Sequence, residues 1–161
     1  MNTDSIETTR IEVIARGVCL VDGQLLLCRG KGAPISYLPG GHIEFRETAR
    51  HALEREIREE LGLPSKAGRF LGCCENSFLQ KGEPHAEINL VFELEIPGAS
   101  PAVPIEAAES WIGFEWRPLV SLGDAGLVPA PLRAQLTRWL AAPGGHFDCG
   151  DQWLDIPPEH A

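Results

Sequence analysis

The sequence predicts an α/β domain, a mixed sheet covered by helices, and three observations carry that expectation. Two runs of branched apolar residues, 11–21 and 24–29, are split by Asp22-Gly23, a dipeptide that signals a β-hairpin. A helix with both ends marked follows at about 49–61, and a second helical pattern occupies 131–141. Further strand patterns lie between the two helices, so strands fall before and between helical segments. The hairpin argues against a purely parallel sheet.

Taken in order, IEVIARGVCLV and QLLLCR read as the hairpin strands. RGKGAPISYLPGG is loop chemistry, punctuated by Gly and Pro, with a short extended piece at Tyr37-Leu38. Thr48 is the expected N-cap of the first helix, although His51 leaves its capping box incomplete. Leu61-Gly62-Leu63-Pro64 stops it, with Gly62 in the left-handed position and Pro just beyond. Strands are expected at 69–79 and 86–96, the second placing Ile88, Leu90, Phe92, Leu94 and Ile96 on one face. Residues 97–110 form a Pro- and Ala-rich loop, 111–116 (WIGFEW) a strand, Pro118 to Gly123 a short helical turn, and Pro131 opens the second helix. The tail, 142–161, has no periodicity and stays unassigned. With no repeat or linker, 1–161 reads as one domain whose core spans about 11–141.

Composition excludes several classes. Hydrophobic residues at 43% against 23% charged leave enough apolar surface for a core, which rules out a disordered chain. No apolar run approaches the roughly 18 residues of a membrane span. The N-terminal MNTDSIETTR lacks a secretory signature, so a cytoplasmic location is expected. The five cysteines form no C-x-x-C pair, and Cys19 and Cys28 sit within apolar runs as core residues. A net charge of −9 disfavours a nucleic-acid polymer as partner, since such binding draws on Lys and Arg. An anionic small molecule would need its repulsion offset, and a divalent cation would do that.

The first helix breaks its own pattern. With Leu53 at zero and about 100° per residue, Ala49, Ile57 and Leu61 fall near −40°, +40° and +80°, the core stripe. Glu56, Glu59 and Glu60 fall near −60°, −120° and −20°, so Glu60 lies inside the apolar arc. Arg55, His51, Glu54 and Arg58 are expected on the opposite, solvated side. A merely soluble helix accounts for Glu54 and for Glu59. It does not account for Glu60, because burying an unpaired carboxylate costs several kcal/mol. Crowded carboxylates take up a proton or share a cation. Oxygen donors at i, i+3 and i+4 suit Mg²⁺ or Mn²⁺ better than zinc.

Gly41, Glu47, Arg55-Glu56-Ile57, Glu59-Glu60 and Gly62-Leu63 fill every specified position of G-x5-E-x7-R-E-U-x-E-E-x-G-U, where U is bulky and aliphatic. On those residues the chain resembles the Nudix hydrolase family, of which MutT-like enzymes are members. The LPGG entry and the late Trp116 to Pro118 turn agree, so the resemblance covers most of residues 11–141 but not the tail. It implies an α/β/α sandwich with a mixed sheet, and metal-dependent hydrolysis of nucleoside diphosphates linked to another moiety by water attack on phosphorus. It places metal ligands at Glu56, Glu59, Glu60 and the Gly40 carbonyl, with Glu56 or Glu59 as general base. It pairs Glu47 with Arg55 to fix the loop, and leaves Gly40, Gly41 and Gly62 to backbone geometry.

Outside the motif the alternatives stay open. Arg29 ends a strand where similar enzymes place a phosphate contact, and a solvated charge explains it as well. Arg16 lines the same cleft or forms a salt bridge. Glu109, ahead of Glu106, is the candidate for an extra acidic ligand from a distant loop. Glu44 either supports the ligands or is an exposed loop charge, and Tyr37 either stacks on a base or packs. His85 and Glu87 receive no role. The Trp111 and Trp153 segments are candidates for packing across a homodimer. The competing function is a non-catalytic nucleotide sensor on the same fold, which the intact set of carboxylates argues against. The identity of the nucleotide derivative is not encoded in any motif found.

Overall fold

The computed structural model describes residues 10–141 and 153–154. Strand β1 (Ile11–Val18) leads into the short β2 (Leu20–Val21), which turns into β3 (Gln24–Gly30). Asp22 and Gly23 both have positive φ, 50° and 73°, so the turn has the twist that closes a two-residue hairpin. Strand β4 (Gly40–His42) precedes helix α1 (Ala49–Leu61). Then come the long strands β5 (Lys66–Gln80) and β6 (Glu83–Glu95), β7 (Ile112–Pro118), a 3₁₀ turn at Leu119–Ser121, α2 (Leu132–Ala141) and β8 (Trp153–Leu154).

The strands form two sheets rather than one. A five-stranded sheet runs β4-β1-β6-β5-β8, and a three-stranded sheet runs β2-β3-β7. The larger is mixed: β1 pairs with β6 in parallel but with β4 antiparallel, and β5 pairs antiparallel with β6. The two helices and the later strands are present, with α1 at the predicted bounds. The first hairpin strand is corrected: 11–21 breaks at Cys19, only Leu20–Val21 pairs with β3, and β1 joins the larger sheet. Thr48 caps it by accepting from the His51 amide, and Gly62 sits at φ 67° with its N–H on the Arg58 carbonyl. A helix whose ends are chemically marked leaves little freedom in its limits.

Two apolar clusters lie on either side of the sheets. Ala52, Leu53, Ile57 and Leu61 of α1 pack with Ala15, Leu26, Phe92, Leu94 and Ile96. Leu132, Leu136 and Trp139 of α2 pack with Leu25, Leu27, Leu71 and Val91. Layers of helix, sheet and helix result, as expected. The alternation expected over 86–96 holds at Phe92, Leu94 and, just past β6, Ile96, while Ile88 and Leu90 are half-buried. The opposite face is covered too, burying Asn89 and Val91. Gly17 permits the close seat of α1, since a Cβ there would meet Leu94 at 2.6 Å and Leu53 at 3.2 Å.

One expectation is corrected at β4. The sequence places Gly40 and Gly41 in a loop, yet Arg16↔Gly40, Ala15↔Gly41 and Ile14↔His42 form an antiparallel ladder. The free edge of β1 recruits a segment with no strand pattern of its own, because backbone pairing needs no side chain. Gly40 adopts φ 129°, and a Cβ there would collide with the Ala15 carbonyl oxygen. This short ladder fixes the entry loop beneath α1.

Candidate active site

The C-terminal half of α1, strand β4 and the loop before β7 enclose a cleft of about 280 Å³ whose lining includes Glu56, Glu59, Glu60, Glu109 and Arg16. Glu60 is 6% exposed despite its charge. Burial, then the neighbouring Glu56 and Glu109 carboxylates, push its pKa up to about 7, against Arg16 and a Gly40 backbone hydrogen bond, which lower it. Its Oε2 is buried without a hydrogen-bond partner. A native protein rarely leaves such an atom unmatched.

Glu109 arrives through a backbone link. The Ala108 amide donates to the Glu60 carbonyl at 2.7 Å, tying the loop to the last turn of α1. The extra acid expected from a distant loop therefore lines the same cleft, whereas Glu106 is exposed and outside its lining.

Arg55 does more than stand on the solvated side. It is half-buried and donates Nε to Glu47 at 2.9 Å, and its Nη1 reaches back to Glu56 at 2.8 Å and Glu59 at 3.0 Å. A long flexible stem lets the guanidinium cover more of the helix surface than its Cβ direction implies. The pairing lowers the Glu47 pKa, and Nη2 also holds the His42 carbonyl at 3.0 Å. Arg55 thus fastens the segment before α1 to the helix, and it leaves Glu60 untouched.

Gly41 lies against Glu56, and a Cβ at residue 41 would collide with that carboxylate. Gly40 offers its carbonyl to Arg16 Nη1 at 3.0 Å. Arg16 also donates to the Leu38 carbonyl at 3.1 Å and to Asn89 Oδ1 at 3.2 Å, and its guanidinium lies 5.2 Å from the Tyr37 ring centre. It therefore stands at the cleft wall, where its charge acts on Glu60, rather than in an outlying salt bridge.

Arg29 is a correction. It lies outside the lining of the acidic cleft: it pairs with Glu115 Oε1 at 2.7 Å and donates to the Ala125 carbonyl at 2.8 Å. Its strand β3 pairs with β7, which brings Glu115 within reach and turns the guanidinium into cross-sheet support. Glu44 is exposed and gives its amide to Glu47 at 3.2 Å. The cysteines Cys19, Cys28, Cys73 and Cys74 are buried, burial pushing the Cys19 thiol up to about 11; Cys149 lies outside the described residues.

Sequence reasoning missed two residues of the cleft region. Asn89 is 4% exposed in an apolar strand, an anomaly of the same kind as Glu60 that could have exposed it. Trp111, 57% exposed, forms the lip of the cleft beside Glu109, and nothing in WIGFEW marks it apart from Trp116. Tyr37, open between stacking and packing on sequence grounds, lines the cleft against Arg16. The Trp153 side chain lies outside the described residues.

The donor set fits a hard divalent cation in chemistry: four carboxylates, one of them carrying an orphaned buried oxygen, with a backbone carbonyl at hand. Among the described residues, no three acidic, His or Cys side chains are drawn together closely enough to share one ion. The cause is visible in Arg55, which draws Glu56 and Glu59 toward itself while Glu60 stays inside.

A family model described as the NUDIX domain matches residues 11–141. The chain belongs to this NUDIX domain family. Among curated relatives, an ADP-ribose pyrophosphatase of Methanocaldococcus jannaschii is 32% identical over 102 residues, 61% of this chain and 59% of that protein. An RNA pyrophosphohydrolase of Sodalis glossinidius is 41% identical over 59 residues, 37% of this chain and 34% of that protein. The chain thus spans less than two thirds of the length of either. The E. coli ORF135 protein has the same fold at TM-score 0.64 and 21% identity, covering 86% of this chain and 96% of that one. A MutT protein from Methanosarcina mazei Go1 superposes at TM-score 0.61 with 22% identity, covering 82% and 94%. In this NUDIX domain no helix among the described residues is long and apolar enough to cross a membrane.

Proposed function

We propose that the protein hydrolyses the pyrophosphate bond of a nucleoside diphosphate derivative in the presence of Mg²⁺ or Mn²⁺. One observation carries this reading: Glu60 holds an unmatched buried oxygen in a cleft that four carboxylates line, on helix α1 within the matched NUDIX domain. Glu56, Glu59 and Glu60 would hold the cation, with Glu109 and the Gly40 carbonyl as further oxygen donors. When bound, such an ion supplies charge neutralisation of the phosphates and acidifies water.

The chain's own residues supply the rest. Glu59, 53% exposed at its side chain, is open to water and can accept its proton, and Glu56 is the other candidate base. The water oxygen bonds to phosphorus as the bridging P–O bond breaks, and the departing phosphate keeps the electron pair. Arg16 and the aromatic rings of Tyr37 and Trp111 border the cleft and orient the remainder of the substrate. Arg55 and Glu47 hold the β4–α1 segment in register, acting through the ligands rather than on the substrate.

The pyrophosphatase names of the two curated relatives favour this class over an unrelated phosphatase. A net charge of −9 favours a small substrate over a polymer. The test is a panel of nucleoside diphosphate derivatives with Mg²⁺, following phosphate release and product masses. Mononucleotide and phosphorylated products in equal amounts are expected. Nucleotide binding without turnover across the panel would favour the sensor instead.

A further inference from the structure

A larger cavity of about 500 Å³ adjoins the acidic cleft and shares Arg16 and Tyr37 with it. Its walls are largely apolar, including Tyr37, Phe78 and Pro129. Yet its lining also carries the Glu87 carboxylate and the buried Asn89 amide. On β6 these two are two residues apart and so share a face of the sheet, with Asn76 opposite Glu87 in register on β5.

The polar groups are arranged in a chain. Glu87 Oε2 accepts from Asn89 Nδ2 at 3.1 Å, and Asn89 Oδ1 accepts from Arg16 Nε at 3.2 Å. Arg16 in turn holds the carbonyls of Leu38 and Gly40. Glu87 forms no ion pair with the described residues, and its Oε1 takes no hydrogen bond from them. A half-buried carboxylate among apolar walls is costly unless something donates to it.

Asn89 serves one oxygen of Glu87 and leaves Oε1 available to a donor in the cavity, and the surroundings narrow the kind of donor that fits. Aromatic and flat apolar walls suit a planar ring. Arg16, at the boundary, disfavours a full cation and suits a phosphate passing into the acidic cleft. An ionised carboxylate only accepts, so it favours N–H edges and repels carbonyl oxygens.

Resting on the hydrolase reading, we infer that Glu87 is a specificity-determining residue that selects nucleotides whose ring carries an exocyclic amine. The base lies in the larger cavity with its amino group on Glu87 Oε1, and the diphosphate extends past Arg16 toward Glu56 and Glu60. Replacing the amine by a carbonyl sets acceptor against acceptor. Asn89 is a positioning residue, holding the Glu87 carboxylate toward the base.

Equilibrium binding of mononucleotides in the presence of Mg²⁺, which offsets the charge of the acidic cleft, tests this apart from catalysis, because these ligands contain no anhydride to cleave. AMP against IMP and CMP against UMP each exchange one amine for a carbonyl. The amino member is expected to bind about tenfold or more tightly in at least one pair, as for a hydrogen bond to a charged group. In Glu87→Gln, which keeps its size and can still accept from Asn89, that ratio is expected to fall to within about threefold, with thermal stability unchanged. No preference in the wild type, no binding of any member, or the same ratio in the variant overturns the inference. Failure of the hydrolysis panel with this binding pattern intact would remove the hydrolase reading and leave Glu87 as the base-reading residue.

Discussion

Glu56→Gln and Glu60→Gln are each expected to lower kcat on the order of 10²–10³-fold, the scale seen when preorganised charge at a reacting centre is removed. Both keep side-chain volume, so circular dichroism and the unfolding transition should report an intact fold. The physical reason differs between the two. Glu56 is packed on Gly41 and held by Arg55, so its neutral replacement removes an anion from the cleft and loosens that pairing. Glu60 makes no contact with Arg55, and its replacement removes the one carboxylate that the apolar arc of α1 holds in place. Near-normal turnover in both variants would contradict the assignment.

Metal-free stability is expected to fall as pH rises, and Glu60 is the cause. Its folded pKa, about 7, stands above the ordinary carboxylate value of 4.5, so folding takes up a proton between those limits. The stabilising contribution is complete below about pH 4.5 and lost as pH passes through about 7. A shift from 4.5 to about 7 corresponds to roughly 3 kcal/mol, or on the order of 10 °C in Tm for a chain of this size. Glu60→Gln cannot ionise, so the difference between wild type and variant is expected to be small at low pH and to favour the variant at pH 8. Thermal unfolding in chelator across pH 4.5–8 measures it, and parallel curves would contradict the account. The same substitution would then stabilise the metal-free fold while strongly lowering turnover, a trade common at functional sites.

How far the residues alone reveal the molecule depends on whether their signals are local. Helix α1 was readable to its ends because Thr48 and Gly62 mark them chemically, and Glu60 was readable because a period of 3.6 leaves it facing the core. Strand β4 was not, since Gly-Gly-His carries no pattern and becomes a strand only when the edge of β1 is present. The division into two sheets depends on the β3–β7 pairing, a contact between residues nearly ninety positions apart. That same pairing takes Arg29 out of the site, because its partner Glu115 has no local relation to it. Arg55 was placed on the right face of the helix by angle but not by reach. Glu109 was suggested by its position before a strand, and the Ala108–Glu60 backbone link supplies the reason it arrives.

Binding of Mn²⁺ to the purified protein, followed by the loss of the free-ion electron paramagnetic resonance signal, tests the central claim most directly. The wild type is expected to take up Mn²⁺, with Mg²⁺ competing, and Glu60→Gln to bind at least about tenfold more weakly. Equal affinity in the two proteins, or no uptake by the wild type, would contradict the claim that the buried carboxylate exists to hold a divalent ion.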